Sequence, residues 1–133
     1  MERTLLIIKP DAVGRNLIGR IIFRLEEARF TVVDIKMTKL GYDQASEFYA
    51  VHKGKPFMDK HCRYMSSGHI VVIVLESEGN TIAKVRELIG ATDCTKAATG
   101  TIRHDLAISL TENSVHASDS PQNAEKEISF FFG

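Results

Sequence analysis

Ile70-Val71-Val72-Ile73-Val74-Leu75 is the strongest strand signal in the chain: an unbroken apolar run, mostly β-branched, and far too short to cross a bilayer. Ser66-Ser67-Gly68 stands just before it and closes a helix. Pro56 can start that helix at its first position, and it runs to about Met65. Lys53-Gly54-Lys55-Pro56 reads as a turn, and Asp43 as the N-cap of another short helix, Gln44 to Val51. Farther upstream, Phe30 to Leu40 sets Val32, Val33 and Ile35 against Asp34 and Lys36 and reads as a strand. Gly19 to Arg29 is an amphipathic helix. Ile18, Ile21, Ile22 and Leu25 share one face, with Arg20, Arg24, Glu26 and Glu27 on the other. Thr4 to Ile8 is short, β-branched and apolar. It fits a central strand buried on both faces, ended by Lys9-Pro10-Asp11 because proline cannot donate to a ladder.

Downstream, Asn80 to Ile89 is a second amphipathic helix, with Ile82, Val85, Leu88 and Ile89 on one face and Gly90 as its stop. Ala91 to Leu110 reads as a long loop with a short helix inside, and loops of that length are usually functional. Asn113 to His116 fits a short strand. Ser120-Pro121 opens a final helix that runs to about Phe131. Setting aside the helical pair between Asp43 and Met65 leaves β-α-β-β-α-β. The expectation is an α+β, ferredoxin-like domain over residues 1–133, with helices packed on an antiparallel four-stranded sheet. That fold hosts many functions and settles no chemistry.

Seventeen Lys and Arg balance seventeen Asp and Glu, which argues against a surface built for duplex nucleic acid or an anionic membrane. Cys62 and Cys94 lie far apart, so neither a disulfide framework nor a zinc site is expected. Met1-Glu2-Arg3-Thr4 runs straight into a strand with no signal-peptide pattern, and the expected location is the cytoplasm.

The five histidines, His52, His61, His69, His104 and His116, show no metal-ligand spacing among themselves. His116 differs from the rest by its setting, Asn113-Ser114-Val115-His116-Ala117-Ser118-Asp119-Ser120-Pro121. Small polar residues leave room for a ligand, and the following helix N-terminus offers N–H groups to a phosphate. From these residues alone His116 is either a nucleophile or base, or a packed histidine before a helix. Lys9 could reach a phosphate or a sugar hydroxyl, or simply be a solvated strand-end lysine. Arg86 and Arg103 are each a phosphate ligand or a surface charge. Phe57 is either a core residue or a plate for a base. Neither a P-loop nor a dinucleotide fingerprint is present.

Taken together the segments resemble nucleoside diphosphate kinases over essentially the whole chain. The matching segments are Lys9-Pro10-Asp11-Ala12-Val13, Phe48-Tyr49-Ala50 with His52, and Gly54-Lys55-Pro56-Phe57. They continue through Ser67-Gly68, Gly90-Ala91-Thr92, Gly100-Thr101-Ile102-Arg103 and Asn113-x-x-His116-x-Ser118-Asp119-Ser120. The resemblance implies transfer of a γ-phosphoryl group from a nucleoside triphosphate to a nucleoside diphosphate, ping-pong through a phosphohistidine, with Mg²⁺ on the nucleotide. It implies His116 as nucleophile through Nδ1, with Glu127 on the other ring nitrogen and Ser118 behind Glu127. Tyr49 would lie beside the transferred group. Arg86, Thr92 and Arg103 would bind phosphates, Lys9 and Asn113 the sugar, and Phe57 would stack on the base. Asp119 would reach the metal only through water. It further implies a homotetramer or homohexamer that needs neither nucleic acid nor membrane.

Some positions depart from the family pattern. Ala117 replaces the usual glycine after the nucleophile. Cys94, Thr99 and His69 stand where the family often has proline. All the site positions are otherwise intact, so Ala117 is expected at φ < 0, and each lost loop proline to lower stability by up to ~1 kcal/mol. Two other readings stand beside this one. An RNA-binding module would want aromatic residues on the strand Ile70 to Leu75, which has none. A catalytically weakened homologue kept for assembly would draw only on Ala117 and the loop changes.

Overall fold

A computed structural model describes residues 2–50, 54–107 and 113–133. His52, the end of the helix read to Val51 and the close of the long loop at Leu110 lie outside them.

The elements are β1 (Glu2–Ile8), α1 (Pro10–Gly14), α2 (Ile18–Glu27), β2 (Thr31–Thr38), α3 (Tyr42–Phe48), α4 (Met58–Met65), β3 (Ile70–Ser77) and α5 (Thr81–Ile89). After α5 come a 3-10 turn (Cys94–Lys96), α6 (Ile102–Leu106), β4 (Val115–Ala117) and α7 (Pro121–Phe132). The sheet order is β2-β3-β1-β4 and every pairing is antiparallel, which is the ferredoxin-like arrangement.

The two apolar strands lie side by side at the centre, Ile8 opposite Val71 and Leu6 opposite Ile73. Their period of two divides the core. Leu6, Ile8, Val71, Ile73 and Leu75 meet Ile21 and Leu25 of α2 and Val85 and Ile89 of α5. Leu5, Ile7, Ile70 and Val72 meet Ala45, Tyr49, Cys62, Met65 and Phe131 on the other face. Full burial of each Leu or Ile contributes roughly 1.5–3 kcal/mol, which explains why both strands read as continuous apolar runs rather than alternating ones.

Edge strand β2 is covered far less. Val33, Ile35 and Met37 keep 38%, 44% and 55% of their surface exposed, and a bulge at Val33 separates the pairs Val32–Leu75 and Asp34–Val74.

Four local expectations need correction. Helix α3 begins at Tyr42 with Gly41 as N-cap, not with Asp43; the Gln44 side chain accepts the Gly41 N–H at 2.9 Å, so Asp43 falls inside the first turn. Helix α4 begins at Met58, not at Pro56, because the Met58 N–H turns back to Lys55 O and puts Phe57 at the N-cap. The last strand is Val115–Ala117, two residues shorter at its start than read, because Ser114 has φ +74° and cannot continue an extended ladder. Pro10 not only ends β1 but opens α1. The ends of α5 and α7 are as expected: Asn80 caps Ala83 N–H, and Ser120 caps Asn123 N–H with Pro121 at the first position.

Candidate active site

The site is assembled where β1 and β4 run side by side. Their pairing, Ile7 opposite His116 and Leu6 opposite Ala117, fixes the His116 backbone. Helix α7 then packs back against β1 and brings Glu127 to the ring. His116 Nε2 and Glu127 Oε1 are 2.9 Å apart, and Ser118 Oγ donates to the same oxygen at 2.8 Å. A carboxylate that accepts two hydrogen bonds selects the tautomer with the proton on Nε2 and leaves the Nδ1 lone pair available. The ring keeps 24% of its side-chain surface exposed. The remaining ring contacts are edge-to-face, with Phe48 at 5.7 Å and Tyr49 at 6.1 Å between centroids. Tyr49 is buried, and its hydroxyl is raised well above the ordinary tyrosine range by desolvation and then by the Glu127 charge, so it stays a proton donor.

Ala117 lies inside β4, nearly buried, and is not among the positive-φ residues. The expected backbone conformation at this position is therefore present. The left-handed residue of the segment is Ser114, which nothing in the sequence announces.

Three cations gather around β4. Lys9, 4% exposed, caps α1 and donates to Asn113 Oδ1 at 2.9 Å. Arg103 of α6, 6% exposed, donates to Gly90 O at 3.1 Å and Val115 O at 2.9 Å. Arg86 of α5 reaches Ala117 O at 3.4 Å. Among the described residues neither arginine has a carboxylate within ion-pair distance, and Arg103 Nε is buried without a partner. Burial and the Arg86 charge push Arg103 down to about 10; burial and the Arg103 charge push Lys9 down to about 8. Each cation thus disfavours the charge on the next.

Gly90 makes the arrangement sterically workable. Its φ is +87°, and a Cβ there would stand 2.5 Å from Thr101 Oγ1. The glycine lets α6 approach α5 closely enough for Arg103 to reach β4.

Thr92 joins this group through its carbonyl, which accepts from Asn113 Nδ2 at 3.3 Å. Phe57 sits on a different element, at the N-cap of α4, with half of its surface exposed. Asp119 is exposed at the turn between β4 and α7; the Asn123 amide, and more weakly the Arg86 charge, hold its carboxyl below the ordinary range. Sequence reasoning assigned no role to Asp11, Arg15, Tyr64 or Ser114, which interlock behind Lys9. Only the spacing of Asp11 and Arg15, four apart with opposite charge, hinted at them.

The family profile described as nucleoside diphosphate kinase matches residues 2–133. A nucleoside diphosphate kinase of Desulfatibacillum aliphaticivorans is 57% identical over 132 residues, spanning 99% of this chain and 95% of that protein. Nucleoside diphosphate kinase 1 of Protochlamydia amoebophila is 56% identical over 131 residues, with 98% and 92% covered. Among solved structures, the Aquifex aeolicus nucleoside diphosphate kinase superposes with a TM-score of 0.96 at 41% identity, covering 99% of this chain and 95% of that one. A halophilic nucleoside diphosphate kinase from Halobacterium salinarum in complex with CDP gives 0.94 at 41% identity, with 98% and 87% covered. A histidine held by a carboxylate, beside the cations Lys9, Arg86 and Arg103, on a fold and sequence shared at this level, places the chain in the nucleoside diphosphate kinase family.

Proposed function

We propose that this chain moves the γ-phosphoryl group of a nucleoside triphosphate to a nucleoside diphosphate through a phosphohistidine at His116. The observation that carries this reading is the Nε2–Glu127 bond, which leaves Nδ1 as the attacking atom. In the first half-reaction Nδ1 attacks the γ-phosphorus, the N–P bond forms, and the bond to the β–γ bridging oxygen breaks. The diphosphate departs, and a second diphosphate takes the group from the same nitrogen. Imidazole serves as nucleophile and then as leaving group, so one residue serves both halves.

The protein's part is placement and charge neutralisation. Arg86, Arg103 and Thr92 hold phosphates, and Arg103 exchanges main-chain carbonyls for phosphate oxygens. Tyr49 donates toward the transferred group. Lys9 and Asn113, already joined, take the sugar hydroxyls, and the Lys9 ammonium also faces the transferring group. Phe57 offers a ring face, which any base can use, so base selectivity is weak.

Mg²⁺ fits as an ion carried by the nucleotide. Among the described residues no three ligating side chains cluster, and the ionised, exposed Asp119 beside the site would hold the ion through water. When bound, it neutralises charge on the phosphates.

Residues 1–133 work as one catalytic domain in the cytoplasm, assembled with copies of itself. The apolar strip Val33, Ile35 and Met37 on an open sheet edge supports self-assembly. No helix among the described residues is long and apolar enough to cross a membrane.

Incubation with a γ-labelled nucleoside triphosphate tests the reaction. The expected result is an acid-labile, base-stable label on the protein that a nucleoside diphosphate removes. A protein that exchanges phosphoryl groups without becoming labelled would rule out the covalent route.

A further inference from the structure

Asp11 is a closely held carboxylate outside the reacting residues. Its side chain, 5% exposed, accepts from Tyr64 OH through Oδ1 and from Arg15 Nη2 at 2.9 Å through Oδ2. Its backbone N–H donates to the same Tyr64 oxygen at 3.1 Å. Arg15 Nη2 goes on to Ser114 Oγ at 3.2 Å, and Arg15 Nε returns to Asp11 O at 3.2 Å. Ser114 is buried at φ +74°, a conformation that must be held in place, and its carbonyl accepts the Lys9 N–H at 2.9 Å.

One carboxylate therefore ties together three pieces of chain that carry nucleotide-binding candidates. Helix α4, through Tyr64, has Phe57 at its N-cap. The turn before β4, through Arg15 and Ser114, has Asn113. Helix α1 has Lys9 as its cap. Asp11 lines an open hollow of about 620 Å³ with Arg15, Tyr64 and His69, and none of His116, Lys9, Arg86, Arg103 or Asn113 borders that hollow.

We propose that Asp11 is a positioning residue for the nucleotide site: it locks α1, α4 and the turn before β4 together, and it keeps the Lys9 ammonium placed and charged. This rests on the reading of Lys9 as a nucleotide ligand. The electrostatic half follows from what surrounds Lys9. Burial and the Arg103 guanidinium from α6 both favour the neutral amine, and Asn113 contributes a neutral acceptor. Asp11, from α1, acts in the opposite sense. Around Asp11 itself stand Arg15, the Tyr64 hydroxyl of α4, and His69 on the rim of the hollow.

Two variants separate charge from linkage. Asp11→Asn keeps the shape and can still bond Tyr64 and Arg15, but removes the charge. Tyr64→Phe keeps the charge but cuts the link to α4. The Lys9 titration is followed by the ¹³Cε shift, assigned by its absence in Lys9→Arg. Asp11→Asn should lower the Lys9 midpoint from about 8 by roughly half a pH unit or more, and move the alkaline fall in exchange rate with it. Tyr64→Phe should leave the midpoint in place while raising KM for nucleotide several-fold with kcat little changed. An unmoved midpoint in Asp11→Asn, or a parental KM in Tyr64→Phe, would overturn the proposal. The titration needs no turnover, so a Lys9 that is irrelevant to exchange would defeat the site reading and leave this measurement intact.

Discussion

Ala117 follows the proposed nucleophile, and its methyl group lies buried against the α2–α5 side of the core. Because it sits in β4 opposite Leu6, with no left-handed backbone to support, the side chain costs no conformational strain. Ala117→Gly should therefore change the exchange rate by less than tenfold, under about 1.4 kcal/mol of barrier. It should also slightly lower stability, by giving the unfolded chain more freedom. Steady-state exchange and thermal unfolding measure the two halves. A hundredfold faster glycine variant would mean that the methyl group obstructs the site. Lys9 adds a pH dependence to the same region. Its amine titrates near 8 when folded and at 10.5 when unfolded, so the folded state binds fewer protons between those values. The stability penalty of burying it is present in full below pH 8 and disappears as pH rises through 10.5, while the charge proposed to serve nucleotide binding is lost above about 8.

At the scale of elements, the long segment from Ala91 to α6 shows what the sequence could and could not disclose. The amphipathic helices and the two central strands were legible because period and burial agree along them. The turn Ala98-Thr99-Gly100-Thr101 was not, because its signal is one glycine. Thr101 N–H closes on Ala98 O at 3.1 Å and Gly100 has φ +92°, which is a turn that wants glycine third and accepts proline second. Thr99 holds that second position and donates no described backbone bond. Thr99→Pro should consequently raise stability by about 0.4–1 kcal/mol, read as a higher unfolding midpoint with exchange retained; a lower midpoint would show that the turn differs. The same reasoning explains the other misreadings. Pro56 looked like a helix start because proline is common there, but the Lys55–Met58 turn uses it one step earlier. Asp43 looked like a cap by residue type, but Gly41 and Gln44 form the cap by geometry. The candidate site is legible only through the family resemblance, since Lys9, Arg86, Arg103, His116 and Glu127 are distant in sequence and the β1–β4 pairing and the return of α7 bring them together.

For the whole molecule, a net charge of zero hides a local concentration of positive charge around β4. The outer edge of the sheet is apolar where a monomer would gain from polar residues. Self-association through that edge predicts a light-scattering mass several times that of one 14.8 kDa chain at micromolar concentration; a fully active monomer would contradict it. Narrower than assembly is the chemistry proposed for the site, in which one nitrogen of one histidine carries the phosphoryl group. The most direct measurement is to label the protein with a γ-labelled nucleoside triphosphate, digest it at alkaline pH, and locate the label by mass spectrometry, with His116→Ala run in parallel. The expected result is label on the His116 peptide, released by added nucleoside diphosphate, and no label in the variant. Label on any other residue, or a His116→Ala protein that still accepts and passes on the phosphoryl group, would contradict it.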